Sequence, residues 1–337
     1  MMKLARYVVA AWGLGLAALA VQAADPGTAE LPIYVAGQQV SGLIRTWGHG
    51  SRDKDIVGGL VRDWQAGFSR QQPGVRFETT LRGDGTAIGG LYTGAADLAL
   101  MERPPLAIEL DGYQPVFGHD PVEISVATGS LDVADHAFAP VVFVHRDNPI
   151  AHLSLAQLDA IFGADRRRGG SPVRTWGDLG AGGEWANKPL HLYTFGLDQD
   201  EAQFFARTVM GGSQKWASPL TELGGRQAAD ALAKDRYGIA LSGLQYRSAL
   251  VKPLALAVTA DGPFIQATQD TLMQRQYPLT RKVSVFLDRS QGQPVDPKLK
   301  EYLLYLLSRE GQAAIRRDGR YLPLTPELAQ RELEKLQ

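Results

Sequence analysis

The fold of this chain is decided by residues 50–104, which read GSRDKDIVGGLVRDWQAGFSRQQPGVRFETTLRGDGTAIGGLYTGAADLALMERP. Apolar residues recur at helical spacing from Ile56 to Phe68 and predict an amphipathic helix. The runs 75–80 and 97–101 have the composition of strands, and a short apolar helix is expected between them. Strands that alternate with helices indicate a mostly parallel sheet covered on both faces.

The flanking sequence extends this alternation in both directions. Ser154 opens a capping box and predicts the start of a helix, and Asp296 is expected to cap one long helix over 297–315. Further short runs of β-branched and apolar residues predict strands at 33–35, 141–144, 190–195, 237–241 and 283–287. The pattern therefore predicts two α/β lobes, with the C-terminal helices returning to the first lobe.

Length, charge and cysteine content narrow the function. A chain of 337 residues is long enough for two lobes. It has no cysteine, which excludes disulfides, thiolate metal sites and cysteine nucleophiles. A formal net charge of −1 gives no indication of a nucleic acid partner.

The N-terminus has the features of a secretory signal peptide. Lys3 and Arg6 precede an apolar run over residues 8–21, and small residues follow at Ala23 and Ala24. The run is shorter than the roughly 20 residues that a spanning helix needs, so we expect cleavage near Ala23 or Ala24 instead of a membrane anchor. Loss of the two basic residues leaves 33 basic against 36 acidic residues, a net charge of −3.

The order of these motifs resembles that of the phosphate-binding proteins of phosphate ABC importers. Residues 50–104 follow the family's order of Gly-Ser turn, helix with a Trp, strand, Gly-x-Gly-Thr turn, helix and strand ending in an acidic residue and a Pro. Other segments similar to the family are the strand and Asn-Pro at 141–149, SLAQLDAIFGA, YGIALSGL, YPLTRKVSVFLDR and YLLYLLSREGQAAIRRDGRYLPL. The resemblance covers nearly the whole chain after the predicted signal peptide.

The resemblance implies an α/β, two-lobed type II periplasmic binding protein fold, each lobe a mostly parallel sheet flanked by helices. Residues 1–24 would be the signal peptide, 25–138 with 280–337 the first lobe, and 139–279 the second. The implied function is capture of phosphate or a related small oxyanion between the lobes, for an ABC permease, by a periplasmic monomer. We expect no nucleic acid partner and no membrane insertion after cleavage. The alternative is a sensor, regulator or accessory protein of the same fold that binds a different small polar ligand or none.

The resemblance also implies the ligand-binding residues. Gly50-Ser51 and Gly85-Thr86 stand at helix starts, where free amide groups and hydroxyls donate to an oxyanion. Glu102 stands where the family has an acidic residue, which accepts a hydrogen bond from protonated phosphate and so discriminates against sulfate. Arg103 beside it would supply positive charge. Arg52 and Arg82 are alternatives to Arg103, and the two hydroxyl residues could instead be ordinary helix caps.

Three positions depart from the family pattern. Thr194 stands where the family has an arginine, while Asp198 and Asp84 stand where it has serines. Asp198 is expected to cap a helix, with Glu201 completing a capping box. A carboxylate at a helix start repels an anion, so three interpretations stay open: phosphate held by the first lobe and an arginine from elsewhere, a ligand that tolerates carboxylates, or no ligand.

Enzymatic functions find little support in the sequence. The chain lacks Gly-x-Ser-x-Gly, a P-loop and His-Glu-x-x-His, and its histidines show no metal-ligand spacing. We therefore expect no catalytic residues, no metal and no cofactor. His49 lies beside the predicted pocket, where it could bind ligand or respond to pH, although a lone loop histidine is more often incidental.

Overall fold

Two mixed β-sheets with flanking helices organise this protein, as seen in a computed structural model that describes residues 31–50, 57–131, 133 and 139–337. The strands are β1 (Ser41–Gly48), β2 (Gly74–Leu81), β3 (Leu98–Met101), β4 (Val122–Gly129), β5 (Pro140–His145), β6 (His152–Ser154), β7 (His191–Thr194), β8 (Leu220–Glu222), β9 (Gly238–Gly243), β10 (Val251–Pro253), β11 (Ala255–Ala257), β12 (Lys282–Leu287) and β13 (Tyr321–Leu322). The α-helices are α1 (Gly58–Gln71), α2 (Asp84–Tyr92), α3 (Ala107–Phe117), α4 (Leu155–Phe162), α5 (Asp200–Thr208), α6 (Gly225–Leu232), α7 (Gln269–Met273), α8 (Pro297–Leu307), α9 (Arg309–Asp318) and α10 (Pro326–Glu334).

The first sheet has the strand order β13-β4-β12-β3-β1-β2 among the described residues. Strand β1 pairs in parallel with β2 and with β3, and Gly48 at its end lies opposite Leu81 and Leu100. The carboxyl ends of these three strands therefore meet at one edge, which is where ligands of open α/β sheets bind. That edge is called the carboxyl edge below.

Strand β12 brings a distant part of the chain to the carboxyl edge. It runs antiparallel to β3, with Ser284 opposite Met101, and antiparallel to β4 on its other side. The start of β12 therefore lies beside the end of β3. In the same way β13 pairs with β4, so that Tyr321 lies opposite Gly129.

The second sheet has the order β10-β5-β9-β7-β8. Strand β7 is parallel to β8 and β9, whereas β5 is antiparallel to β9 and β10. Each sheet has its own buried apolar cluster. The cluster at the first sheet combines residues from both ends of the described chain, from Leu31 to Leu336. The lobe boundaries at 138/139 and 279/280 stay a prediction. None of the helices in the described part of the chain is long and apolar enough to cross a membrane.

The α/β fold class is confirmed, and three local expectations are corrected. The sheets are mixed instead of mostly parallel, because β12 and β5 enter them from the opposite direction. Residues 33–35 are not a strand, since the Tyr34 amide donates to the Glu310 carboxylate at 2.9 Å and not to a neighbouring strand. The helix expected at 297–315 is divided at Ser308, whose extended backbone (ψ 170°) ends α8 and whose hydroxyl caps α9 at the Gly311 amide.

Gly48 is required at the end of β1. Its φ is +153°, and a Cβ atom built there would lie 1.9 Å from the Leu100 carbonyl oxygen. We expect Gly48→Ala to lower the free energy of unfolding by at least about 2 kcal/mol, because the backbone of β3 cannot move aside without breaking the sheet. Gly85→Ala is the control: nothing lies within 4 Å of its added methyl group, so helix propensity should make that variant equally or more stable. Urea denaturation monitored by circular dichroism measures both, and equal effects would contradict this assignment.

Candidate functional site

Most of the predicted ligand residues converge at the carboxyl edge. Gly50 follows β1, Gly85 and Thr86 lie in the first turn of α2 after β2, and Glu102 and Arg103 follow β3. The parallel register brings these positions together, although they are far apart in sequence. Two other candidates, Ser51 and Arg52, lie outside the described residues.

A chain of buried polar groups links the three strand ends. His49 Nδ1 lies 3.1 Å from Asp84 Oδ1, and His49 Nε2 lies 3.3 Å from Glu102 Oε1. The Tyr321 hydroxyl donates to the same Glu102 oxygen. The Glu102 amide in turn donates to Asp84 Oδ2 at 3.2 Å. Asp84 and Glu102 are each 1 % exposed, so these contacts replace the water that both carboxylates lose on folding.

His49 is a cation in this environment. Burial by itself lowers the pKa of a histidine, but the charge of Glu102 and the hydrogen bond to Asp84 outweigh burial and raise the pKa of His49 to about 9. An imidazolium that lies between two carboxylates balances one of their two charges. The histidine that the sequence left as incidental is therefore a structural member of the site.

Arg103 connects the two lobes. Its Nη2 lies 2.7 Å from Glu109 Oε1 of α3, and its Nε lies 3.4 Å from Asp200 Oδ1 at the start of α5 in the second sheet's lobe. The same Nε is 3.9 Å from Asp84 Oδ2. Arg103 thus already has carboxylate partners from both lobes. An anion that binds Arg103 must compete with the half-exposed Asp200.

The start of α2 is occupied by its own side chains. Asp84 is the first helical residue and points its carboxylate at His49 and the Glu102 amide, while Gly83 is the N-cap. The Thr86 hydroxyl donates to the Gly83 carbonyl oxygen at 2.9 Å, so Thr86 does not cap the helix. Gly85 is exposed. Nothing lies within 4 Å of a Cβ atom built at Gly85, so the space beside this residue is open.

The second lobe differs from expectation at α5. The helix begins at Asp200 with Gln199 as N-cap, and no side chain caps it, so the predicted capping box of Asp198 and Glu201 is wrong. Loop residues 196–199 form a turn of their own, in which the Gln199 amide donates to the Gly196 carbonyl oxygen at 2.9 Å, and the helix starts one residue later than expected. Thr194 at the end of β7 is fully buried, and its hydroxyl oxygen has no hydrogen-bond partner among the described residues.

Tyr321 and Arg281 belong to the site, and the sequence did not predict them. Tyr321 is 2 % and Arg281 is 1 % exposed, and each bonds Glu102 from more than 170 positions away. In the sequence, the one feature that pointed to these two residues was their position in the two C-terminal segments that resemble the family. Nothing in those segments showed that the side chains reach β3.

A metal ion fits this site poorly. Ligand atoms of His49, Asp84 and Asp200 all lie within 4.8 Å of one another. Arg103 is within 4 Å of both carboxylates, and the raised pKa of His49 keeps a proton on the ring. A cation at this position would therefore meet two positive charges.

Comparisons with known proteins show the family to which this chain belongs. A family profile described as PBP superfamily domain matches residues 57–310. The phosphate-binding protein PstS of Pseudomonas aeruginosa is 32 % identical over 340 residues, covering 99 % of both chains.

Solved structures show the same fold at lower identity. PstS from Borrelia burgdorferi is 11 % identical and superposes with a TM-score of 0.60, covering 85 % of this chain and 100 % of that one. An ABC-type phosphate transport receptor from Vibrio cholerae is 15 % identical, with a TM-score of 0.56 and coverage of 83 % and 99 %. The two-lobed type II fold is thereby confirmed.

The charge on His49 predicts a pH dependence of stability. Because its pKa is about 9 in the folded protein and 6.5 in the unfolded chain, the stabilisation is complete below pH 6.5 and is lost as the pH rises through 9. Its size is at most roughly 3 kcal/mol. Chemical denaturation between pH 6 and 10 should show this loss in the wild type, and a smaller one in His49→Gln. His152→Gln, at an exposed histidine, should behave as the wild type; equal slopes in all three proteins would contradict the assignment.

Proposed function

This chain belongs to the PBP superfamily and, within it, to the family of PstS phosphate-binding proteins, and we propose that it captures phosphate between its two lobes for an ABC importer. The observation that carries the proposal is the full-length match to the Pseudomonas aeruginosa phosphate-binding protein. The family is one of substrate-binding proteins, and we propose no catalytic step for this member. Its direct partners are then phosphate and an ABC permease.

The carboxyl edge is where we place the ligand. Backbone groups close to the start of α2 are provided by Gly50, Gly85 and Thr86. Side chains at the end of β3 are provided by Glu102 and Arg103. Ser51 continues from Gly50 and stays part of the proposal. Helix starts and buried charged donors are both suited to an oxyanion.

The carboxylates of the site do not argue against an anion once their partners are counted. Asp84 and Glu102 share the imidazolium of His49, and Glu109 pairs with Arg103. Arg281 adds a third cation from the first sheet. Asp200, which also contacts Arg103, is a fourth carboxylate, so four negative groups face three positive ones. Each of these carboxylates contacts His49 or Arg103, whereas Arg281 has no carboxylate partner among the described residues and keeps its charge for an anion.

Binding is tested by isothermal titration calorimetry of protein recovered from the periplasm and stripped of phosphate. We expect a dissociation constant for phosphate in the micromolar range or below, and much weaker binding of sulfate and of amino acids. Absence of heat with phosphate at about 0.1 mM protein would reject the receptor function and favour a sensor or accessory protein.

Glu102 should set the preference for phosphate over sulfate. A carboxylate accepts a hydrogen bond from a protonated phosphate oxygen, and sulfate has no proton to donate. We expect Glu102→Gln to reduce the ratio of phosphate to sulfate affinity at least about tenfold, because an amide can donate to either anion. Glu301→Gln removes another buried carboxylate, which bonds Tyr34 away from the site, and should keep the ratio of the wild type. An unchanged ratio in Glu102→Gln would remove this role from Glu102.

Export to the periplasm is part of the same proposal. N-terminal sequencing of protein from the periplasmic fraction should begin at or next to Ala24 or Asp25, as expected for a cleaved signal peptide. A variant that lacks residues 2–24 should accumulate in the cytoplasm. Recovery of the intact N-terminus from a membrane fraction would show an anchor instead.

A further inference from the structure

Arg281 carries a buried positive charge whose hydrogen-bonding capacity is largely unused. Its side chain is 1 % exposed, and its Nε donates to the Glu102 carbonyl oxygen at 3.1 Å. Nη1 and Nη2 are both buried and have no hydrogen-bond partner among the described residues. Within the same residues, no carboxylate lies at ion-pair distance from this guanidinium.

The position of Arg281 is fixed by the first sheet. It immediately precedes β12, whose antiparallel pairing with β3 places it beside Glu102. The Glu102 carboxylate forms no ion pair with this guanidinium, and its Oε1 faces Tyr321 and His49.

The guanidinium of Arg281 also lies close to the second lobe. The Phe204 ring of α5 lies with its centroid 5.8 Å from the guanidinium carbon. Arg103 contacts the first residue of the same helix, Asp200, from the first lobe. Arg281 therefore lies where the two lobes meet, next to the carboxyl edge.

A buried guanidinium without partners is costly in an empty protein. Folded proteins pair their buried charges, and an unpaired one weakens the folded state. An arginine cannot escape this cost by losing its proton, because its pKa is too high. Oxygen atoms of a bound anion would supply both the missing acceptors and the missing negative charge.

We propose that Arg281 is the arginine that binds the oxyanion in this protein, donating from Nη1 and Nη2 to two oxygen atoms of one small tetrahedral anion. The proposal rests on the proposed function and deepens it. In the second lobe Thr194 occupies the position where the resemblance places an arginine, and a threonine hydroxyl brings no charge. Arg281 supplies that charge from the first sheet.

The test compares Arg281→Gln and Arg281→Met with Arg275→Gln. Arg275 is a matched control, because it also comes from the segment that precedes β12, but its Nε and Nη2 already donate to Thr128 and Ser125 at 3.2 and 2.6 Å. Each substitution removes one positive charge. Full-length protein from the periplasm is stripped of anions and titrated calorimetrically with phosphate, sulfate and molybdate, and its melting temperature is measured without and with phosphate.

We expect both Arg281 variants to bind the preferred anion at least about 30-fold more weakly than the wild type, and Arg275→Gln to bind it within threefold. Without anion, Arg281→Met should melt at a higher temperature than the wild type, because it removes an uncompensated buried charge. A residue with a merely structural role would give a lower melting temperature.

The outcomes separate the two proposals. If the wild type binds phosphate and Arg281→Gln binds it equally well, the role of Arg281 is wrong while the receptor function stands. If the wild type binds sulfate or molybdate instead, and only the Arg281 variants lose it, the role of Arg281 holds while phosphate is wrong. If the wild type binds none of the three anions, both proposals are overturned.

Discussion

The site of this protein depends on one constraint: Glu102 is a charged group placed where water does not reach it. A carboxylate that is 1 % exposed needs donors from the protein itself, and it takes them from Tyr321 and His49. Asp84, equally buried, takes the other nitrogen of His49 and the Glu102 amide. Contacts between charged groups therefore connect the ends of β1 and β3 with the start of α2, in addition to the hydrogen bonds of the sheet.

The same requirement extends to the contact between the lobes. Arg103 shares its guanidinium between Glu109 of α3 and Asp200 of α5, and Arg207 of α5 donates to the Pro105 carbonyl oxygen. An anion in the cleft would replace Asp200 as a partner of Arg103 and would join groups of both lobes at once. Anion binding would then be coupled to this contact between the lobes, because the same guanidinium takes part in both.

Local sequence patterns predicted a helix start correctly where the residues that cap it lie in the same short segment. The capping box at Ser154 is formed as expected, with the Gln157 amide 3.2 Å from the serine hydroxyl, and Asp296 caps α8 through the Lys298 amide at 2.9 Å. The predictions failed where a distant group decided the outcome. The backbone at Tyr34 bonds Glu310 across the fold, and Ser308 ends a helix in a segment whose apolar spacing continues without interruption.

The sequence by itself determined the α/β class, the family and the strand-end positions of Gly50, Gly85, Thr86, Glu102 and Arg103, because apolar periodicity, turn residues and motif order act over short distances. Only the tertiary structure decided which side chains surround Glu102. Tyr321 and Arg281 reach it across 219 and 179 positions of sequence, through the antiparallel strands β13 and β12. Electrostatic partners of a buried charge are chosen by distance in space, and no periodicity in the sequence encodes that distance.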